Sequence, residues 1–113
     1  MKLSNIGKAK EWFEVLQTGE RTQTAMITLG PGDATGEKPE AHEKSDQVLM
    51  LEGELNGEVD DERWTLKKGD VIMIPAGAKH RFTNRTQKRA VTFNVYSSPT
   101  YPAGRDGVIC GKE

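Results

Sequence analysis

Apolar and polar residues alternate over short runs along most of the chain, and this is the period of a β-strand rather than that of a helix. The runs are rich in Val, Ile, Thr and aromatic residues, which favour strands. Short strands at regular spacing, with few helix signals, indicate a β-sandwich or a β-barrel. The predicted strands are residues 12–17, 22–29, 47–55, 63–66, 70–74, 80–84 and 90–96.

Turn-forming residues separate these strands, and two local assignments stay open. Residues 9–16 fit either one face of a helix or an opening strand, and their second half favours a strand. The hairpin near residue 57 can turn at Asn56-Gly57 or at Asp60-Asp61. We place the turn at Asp60-Asp61 and interpret Gly57 as a β-bulge.

Composition indicates one domain of 113 residues, with a barrel core over about residues 12–97 and a C-terminal arm over 98–113. The net charge of −1 gives no attraction to nucleic acid or to an anionic membrane. The N-terminus lacks the apolar region of a signal peptide, so a cytoplasmic protein is expected. Cys110 is the single cysteine, which excludes an intrachain disulfide and a thiolate metal cluster, and we expect it to be inert.

The chain has two histidines, and the residues around them form a two-part motif. In the first part, Asp46 follows His42 and stands seven positions before Gly53. In the second part, five residues recur at fixed spacing: Gly69, Pro75, Gly77, His80 and Asn84. The pattern resembles the two motifs of the cupin superfamily, and it matches the second motif at every fixed position. The resemblance implies an all-β fold, the cupin double-stranded β-helix or jelly-roll barrel, with a divalent metal site inside it.

Strand geometry supports the same site independently. Residues two apart on a strand face the same side, so Glu40, His42 and Asp46 would share a face of an extended segment. His80 begins a different strand, and ligands from separate strands can converge inside a barrel. Two imidazoles with one or two carboxylates suit Fe(II), Mn(II), Ni(II) or Zn(II). A divalent transition metal is therefore the expected cofactor.

The first motif departs from the family's usual His-x-His, because Glu40 occupies the first histidine position. Glu40 either supplies an oxygen ligand in place of the imidazole or leaves three ligands and acts as a base nearby. The acidic position is also open between Asp46, which has the usual spacing to Gly53, and Gln47, which fits a longer gap after His42. We favour Asp46. Met50, Phe82 and Phe93 are predicted to line the pocket, and Phe82 shares a strand face with His80.

Three functions remain open at this stage. The first is a metal-dependent enzyme, of dioxygenase, isomerase or lyase type, that acts on a small oxygenated metabolite such as a sugar or an organic acid. The second is a non-catalytic module that binds a small molecule, and the third is a structural protein with a weakened or vestigial site. A homodimer is expected under all three, because a partner copy often covers the edges of open β-architectures.

Overall fold

The structure, a computed structural model, describes residues 2–101 and confirms the all-β jelly-roll fold. A short 3-10 helix (Ile6–Lys8) precedes the strands. Antiparallel pairing gives one sheet of order β1-β2-β8-β3-β6 and a second of order β5-β4-β7. In chain order the strands are β1 (Phe13–Thr18), β2 (Gln23–Leu29), β3 (Asp46–Glu52), β4 (Glu54–Val59), β5 (Glu62–Lys67), β6 (Val71–Ile74), β7 (His80–Thr83) and β8 (Ala90–Tyr96).

The chain crosses between the two sheets at Gly53, so the single strand predicted over 47–55 is wrong. Gly53 has a φ of 77°, which turns the chain from β3 in the large sheet to β4 in the small one. A Cβ at this position would lie 2.5 Å from the backbone oxygen of Arg89, so the neighbouring chain leaves no room for a side chain. The buried positions change from even numbers in β3 to odd numbers in β4, but residues 48–51 are all apolar and hide this change in the sequence.

The hairpin between β4 and β5 turns at Asp60-Asp61 as predicted, and Asp60 takes the left-handed φ of 49° there. The predicted bulge at Gly57 is wrong, because Gly57 pairs in unbroken register with Trp64 on one side and with Phe82 on the other. A Cβ at Gly57 would lie 3.0 Å from the Phe82 ring. The glycine therefore makes space for an aromatic ring. The strand interpretation of the second half of residues 9–16 is confirmed by β1.

The main core lies between the two sheets, where the inward residues of alternating strands meet. Its largest fully buried apolar side chains are Phe13, Leu29, Met50, Leu55 and Ile74. A smaller cluster of Leu16, Met26 and Val91 lies on the other face of the large sheet, with Phe93 packed against it. The two sides of the large sheet therefore carry separate apolar groups.

Asn84 closes the second motif in a structural role. Its side-chain amide is buried and donates to the carbonyl oxygens of Leu29, at 3.0 Å, and Lys88, at 2.7 Å. Its Oδ1 accepts from the backbone N–H of Thr86 at 2.9 Å. These bonds hold the loop between β7 and β8 against the end of β2.

Two sequence expectations concern the ends of the chain. Cys110 and most of the predicted C-terminal arm lie outside the described residues, which include only residues 98–101 of that arm. Within residues 2–101, no helix has the length and apolar character needed to span a membrane.

Replacing Gly53 by alanine tests the crossing between the sheets. We expect Gly53→Ala to lower the free energy of unfolding by about 3 kcal/mol or more, because strain at a positive φ adds to a backbone clash. Gly69→Ala is the matched control, since Gly69 has a φ of 91° and nothing within 4 Å of its Cβ position. The free energy of unfolding of the control should fall by only about 1–2 kcal/mol, which is the cost of a left-handed conformation for alanine. Urea denaturation measures both, and equal losses would contradict the assigned contact.

Candidate metal centre

Backbone pairing brings the two motif segments together at the mouth of the barrel. Glu40 and His80 exchange two backbone hydrogen bonds, of 2.9 and 2.7 Å. The N–H of Gly77 donates to the carbonyl oxygen of His42 at 2.8 Å. His42 thus lies next to His80, although 38 positions separate them in the chain. The Pro-x-Gly turn that begins β7 is therefore part of the framework that positions the site.

Three side chains converge at this point: His42, Asp46 and His80. Asp46 Oδ2 lies 2.5 Å from His42 Nδ1 and 3.7 Å from His80 Nε2. One potential ligand atom from each residue lies within 4.8 Å of the other two. Both histidine side chains are 11% exposed and that of Asp46 is 3% exposed. The cluster is therefore largely shielded from solvent.

The second carboxylate oxygen of Asp46 shows whether the cluster suits a metal ion. Among the described residues, Oδ1 is buried without a hydrogen-bond partner. Burial of a carboxylate oxygen costs free energy unless a donor or a cation compensates. A divalent cation beside Asp46 would supply that compensation, and the adjacent imidazoles are suitable ligands for a transition metal. The donor set present thus fits a metal ion.

His80 is held in the form that a metal ligand requires. Its Nδ1 lies 3.0 Å from the carbonyl oxygen of Ala78, which can only accept, so Nδ1 carries the proton and Nε2 faces Asp46. Burial lowers the pKa of His80, and this effect outweighs the hydrogen bond to Ala78, which raises it. The neighbouring His42 lowers the pKa further, whereas the carboxylates of Asp46 and Glu40 raise it, and the net shift of the pKa is downward. His80 therefore favours the neutral state.

The cluster lines a small cavity between the sheets, of about 40 Å³. This volume accommodates an ion with a few waters, since one water needs about 10–15 Å³ on the same measure. Phe82, predicted to line the pocket, lies in its wall. The remaining wall residues are Phe13, Ile27, Thr35, Glu40, Val48, Ile74, Asn94, Tyr96 and Tyr101.

Two other predicted lining residues lie elsewhere. Phe93 packs on the opposite face of the large sheet, so its assignment to the pocket is wrong. Met50 is buried in the core but is not part of the cavity wall. On β8 the cavity side carries Asn94 and Tyr96, which have the opposite parity to Phe93. In the sequence, Thr92, Asn94 and Tyr96 alternate and so share one face of β8. The large apolar side chain of Phe93 led us to assign the opposite face to the pocket.

The structure also distinguishes between the candidates for the oxygen ligands. Asp46 points inward with the histidines, whereas Gln47 is its strand neighbour and so faces the other side of β3. Glu40 lines the same cavity, but no atom of it belongs to the group of three clustered ligand atoms. Glu40 is therefore placed beside the cluster rather than within it.

Comparison with known proteins agrees with this geometry. The family model described as "Cupin domain" matches residues 25–96, which include both histidines, strands β3 to β8 and most of β2. The chain belongs to the cupin superfamily. The clustered residues His42, Asp46 and His80 all lie within the matched region.

Solved structures share the fold of this cupin. BH2720 from Bacillus halodurans superposes with a TM-score of 0.81 at 21% identity, over 88% of this chain and 80% of that one. TT1209 from Thermus thermophilus superposes with a TM-score of 0.76 at 28% identity, over 87% of this chain and 98% of that one. Among curated proteins, acireductone dioxygenase from Leishmania major is 33% identical over 86 residues, which are 63% of this chain. The match spans only 25% of that relative's length.

The lowered pKa of His80 predicts a dependence of stability on pH. As the pH falls below about 6.5, the unfolded chain binds a proton at His80 before the folded one does, so the metal-free protein should lose stability. The urea midpoint, measured between about pH 7.5 and about pH 5, should fall further in the wild type than in His80→Gln. Equal losses in the two proteins would contradict the assigned burial of a neutral His80.

Proposed function

We propose that this cupin binds a divalent transition metal through His42, Asp46 and His80 and acts on a small oxygenated molecule such as a sugar or an organic acid. The observation that carries the proposal is the convergence of both imidazoles on a buried carboxylate whose Oδ1 has no partner among the described residues. Iron, manganese, nickel and zinc all suit two nitrogen ligands and one oxygen ligand.

The same site supports an enzymatic role of dioxygenase, isomerase or lyase type. A divalent metal would supply Lewis acidity and hold the substrate's oxygen atoms in place. Glu40 faces the same cavity outside the ligand cluster, where its carboxylate could accept a proton from a bound substrate. Among these three reaction types, the similarity to acireductone dioxygenase supports the dioxygenase. The match spans a quarter of that protein.

A non-catalytic function, either ligand binding or a vestigial site in a structural protein, is the alternative. The observation that favours it is the size of the cavity, because about 40 Å³ is small for an organic substrate beside a metal. A catalytic cupin would need the cavity to widen when its substrate enters. Turnover that depends on Glu40 as well as on the metal ligands would favour the enzyme over the binding module.

Metal content tests the ligand set directly. We expect close to one transition-metal ion per wild-type chain after reconstitution, and loss of most of it in His42→Ala, Asp46→Ala and His80→Ala, because each substitution removes one of three ligands. Plasma mass spectrometry on untagged, desalted protein gives the stoichiometry. Gln47→Ala is the matched control, since Gln47 neighbours Asp46 but faces away from the cavity.

Each outcome of this measurement distinguishes between the proposals. Metal retained by His42→Ala and His80→Ala would overturn the proposed site. Loss of metal in Gln47→Ala but not in Asp46→Ala would show that the Gln47 amide, rather than the Asp46 carboxylate, is the ligand. A wild-type protein that binds no transition metal would favour the metal-free binding module.

We further propose that the protein forms a homodimer through the open edge of the large sheet. Within residues 2–101, β6 pairs only with β3, and Val71 and Met73 on it are 62% and 54% exposed. A net charge of −1 gives two copies little mutual repulsion. A second copy of the chain is therefore a suitable partner for this edge.

A charge placed on β6 tests the dimer. We expect the wild type to elute with twice the mass of one chain by light scattering, and Met73→Glu to shift toward the monomer, because the charge would be buried between the copies. Trp64→Glu is the control, since Trp64 is 40% exposed on the edge strand of the other sheet. A monomeric wild type, or a dimer disrupted only by Trp64→Glu, would contradict the assignment.

A further inference from the structure

The last described segment of the chain, residues 98–101, returns to the barrel mouth, and we call it the C-terminal strap. Gln23 at the start of β2 holds it. The Gln23 side-chain amide donates to the carbonyl oxygen of Tyr101 at 2.8 Å, and its Oε1 accepts from the backbone N–H groups of Thr100 and Tyr101, both at 3.0 Å. Gln23 is 1% exposed. A buried amide that matches three backbone groups is a specific anchor rather than a surface contact.

The anchor places the Tyr101 side chain within the candidate metal centre. Its ring packs edge-on against Phe13 and Tyr96, with centroid distances of 4.7 and 5.2 Å. Its hydroxyl lies 3.1 Å from Nε2 of His42. Tyr101 thus contacts a candidate ligand through the ring nitrogen that faces away from Asp46.

Each imidazole therefore has one nitrogen facing Asp46 and the other hydrogen-bonded to a neighbouring group. In His80, Nδ1 is bonded to the Ala78 carbonyl and Nε2 faces Asp46. In His42 the two nitrogens exchange these roles, since Nε2 is bonded to Tyr101 and Nδ1 faces Asp46. A hydrogen bond on the remote nitrogen fixes the ring orientation and the tautomer of a metal-ligating histidine.

We propose that Tyr101 is a positioning residue of the metal site, which fixes His42 so that it offers Nδ1 to the metal while His80 offers Nε2. This inference rests on the proposed metal site. If a metal bound at His42 Nδ1, the single imidazole proton would move from Nδ1 to Nε2, which would then donate to the Tyr101 oxygen. A phenol hydroxyl can both donate and accept, so the same contact serves His42 with and without the metal.

The presence of only two histidines makes a direct test possible. The full-length protein, labelled with ¹⁵N and loaded with Zn(II), should give two imidazole spin systems in a long-range ¹H–¹⁵N correlation spectrum. We expect opposite patterns, with Nδ1 metal-bound and Nε2 protonated in His42, and the reverse in His80. Through-bond correlations from each imidazole to its own sequentially assigned backbone identify the two patterns, so the measurement requires no substitution.

Removing the Tyr101 hydroxyl provides the second measurement. Tyr101→Phe keeps the ring packing but loses the bond to His42, and we expect zinc affinity to fall about 10-fold or more, as for other outer partners of metal ligands. Gln47→Ala is the control, because Gln47 is the strand neighbour of Asp46 but is not part of the cavity wall. Its zinc affinity should change much less. Thermal melts of both metal-free variants show whether the fold is retained.

The outcomes separate this inference from the site on which it rests. Zinc bound through Nε2 of both histidines would overturn the role of Tyr101 and leave the metal site intact. Zinc affinity that is unchanged or tighter in Tyr101→Phe would overturn it as well. Zinc that moves the ¹⁵N resonances of neither histidine would overturn the metal site itself, and the inference with it.

Discussion

The burial of the Asp46 carboxylate is the constraint on which the rest of the site depends. Asp46 begins β3 in the middle of the large sheet, where its side chain points between the sheets. Taking a carboxylate out of water costs several kcal/mol unless partners compensate. His42 compensates one oxygen through a short contact, and the other oxygen has no partner within residues 2–101. A cation that binds only the folded chain would recover this cost, so stability and metal affinity are coupled.

Sequence patterning predicted the strands because most of them have one face toward the core and one toward solvent. The same reasoning failed at Gly53 and on β8 for two different physical reasons. The buried positions change from even to odd numbers where the chain passes from one sheet to the other, but the continuous apolar run at 48–51 hides this change, so residues 47–55 are predicted as one strand. On β8 both faces carry large side chains, because Phe93 packs on an outer cluster while Tyr96 faces the cavity. Hydrophobicity could not choose between these faces.

The three candidate ligands could be predicted because they stand at or near fixed positions of the two cupin motifs. His42 and Asp46 are close in the chain, and the turn before β7 fixes the position of His80. Tyr101 could not be predicted, because its placement depends on Gln23, 78 positions away, whose role is visible only in the folded chain. A polar residue at the start of a strand usually faces solvent, and nothing in the local pattern around Gln23 indicates a buried anchor.

The arrangement of Tyr101 also bears on how an organic molecule could reach the site. Tyr101 forms part of the cavity wall and contacts His42, so the strap limits the volume available beside a metal. Displacing the strap would break three hydrogen bonds to Gln23, so that its buried Oε1 loses both backbone donors while its amide nitrogen keeps the bond to Thr18. A ligand that enters the cavity must compensate this loss or fit beside the phenol ring. Small, compact, oxygen-rich molecules meet the second condition best, because they add hydrogen bonds without requiring much volume.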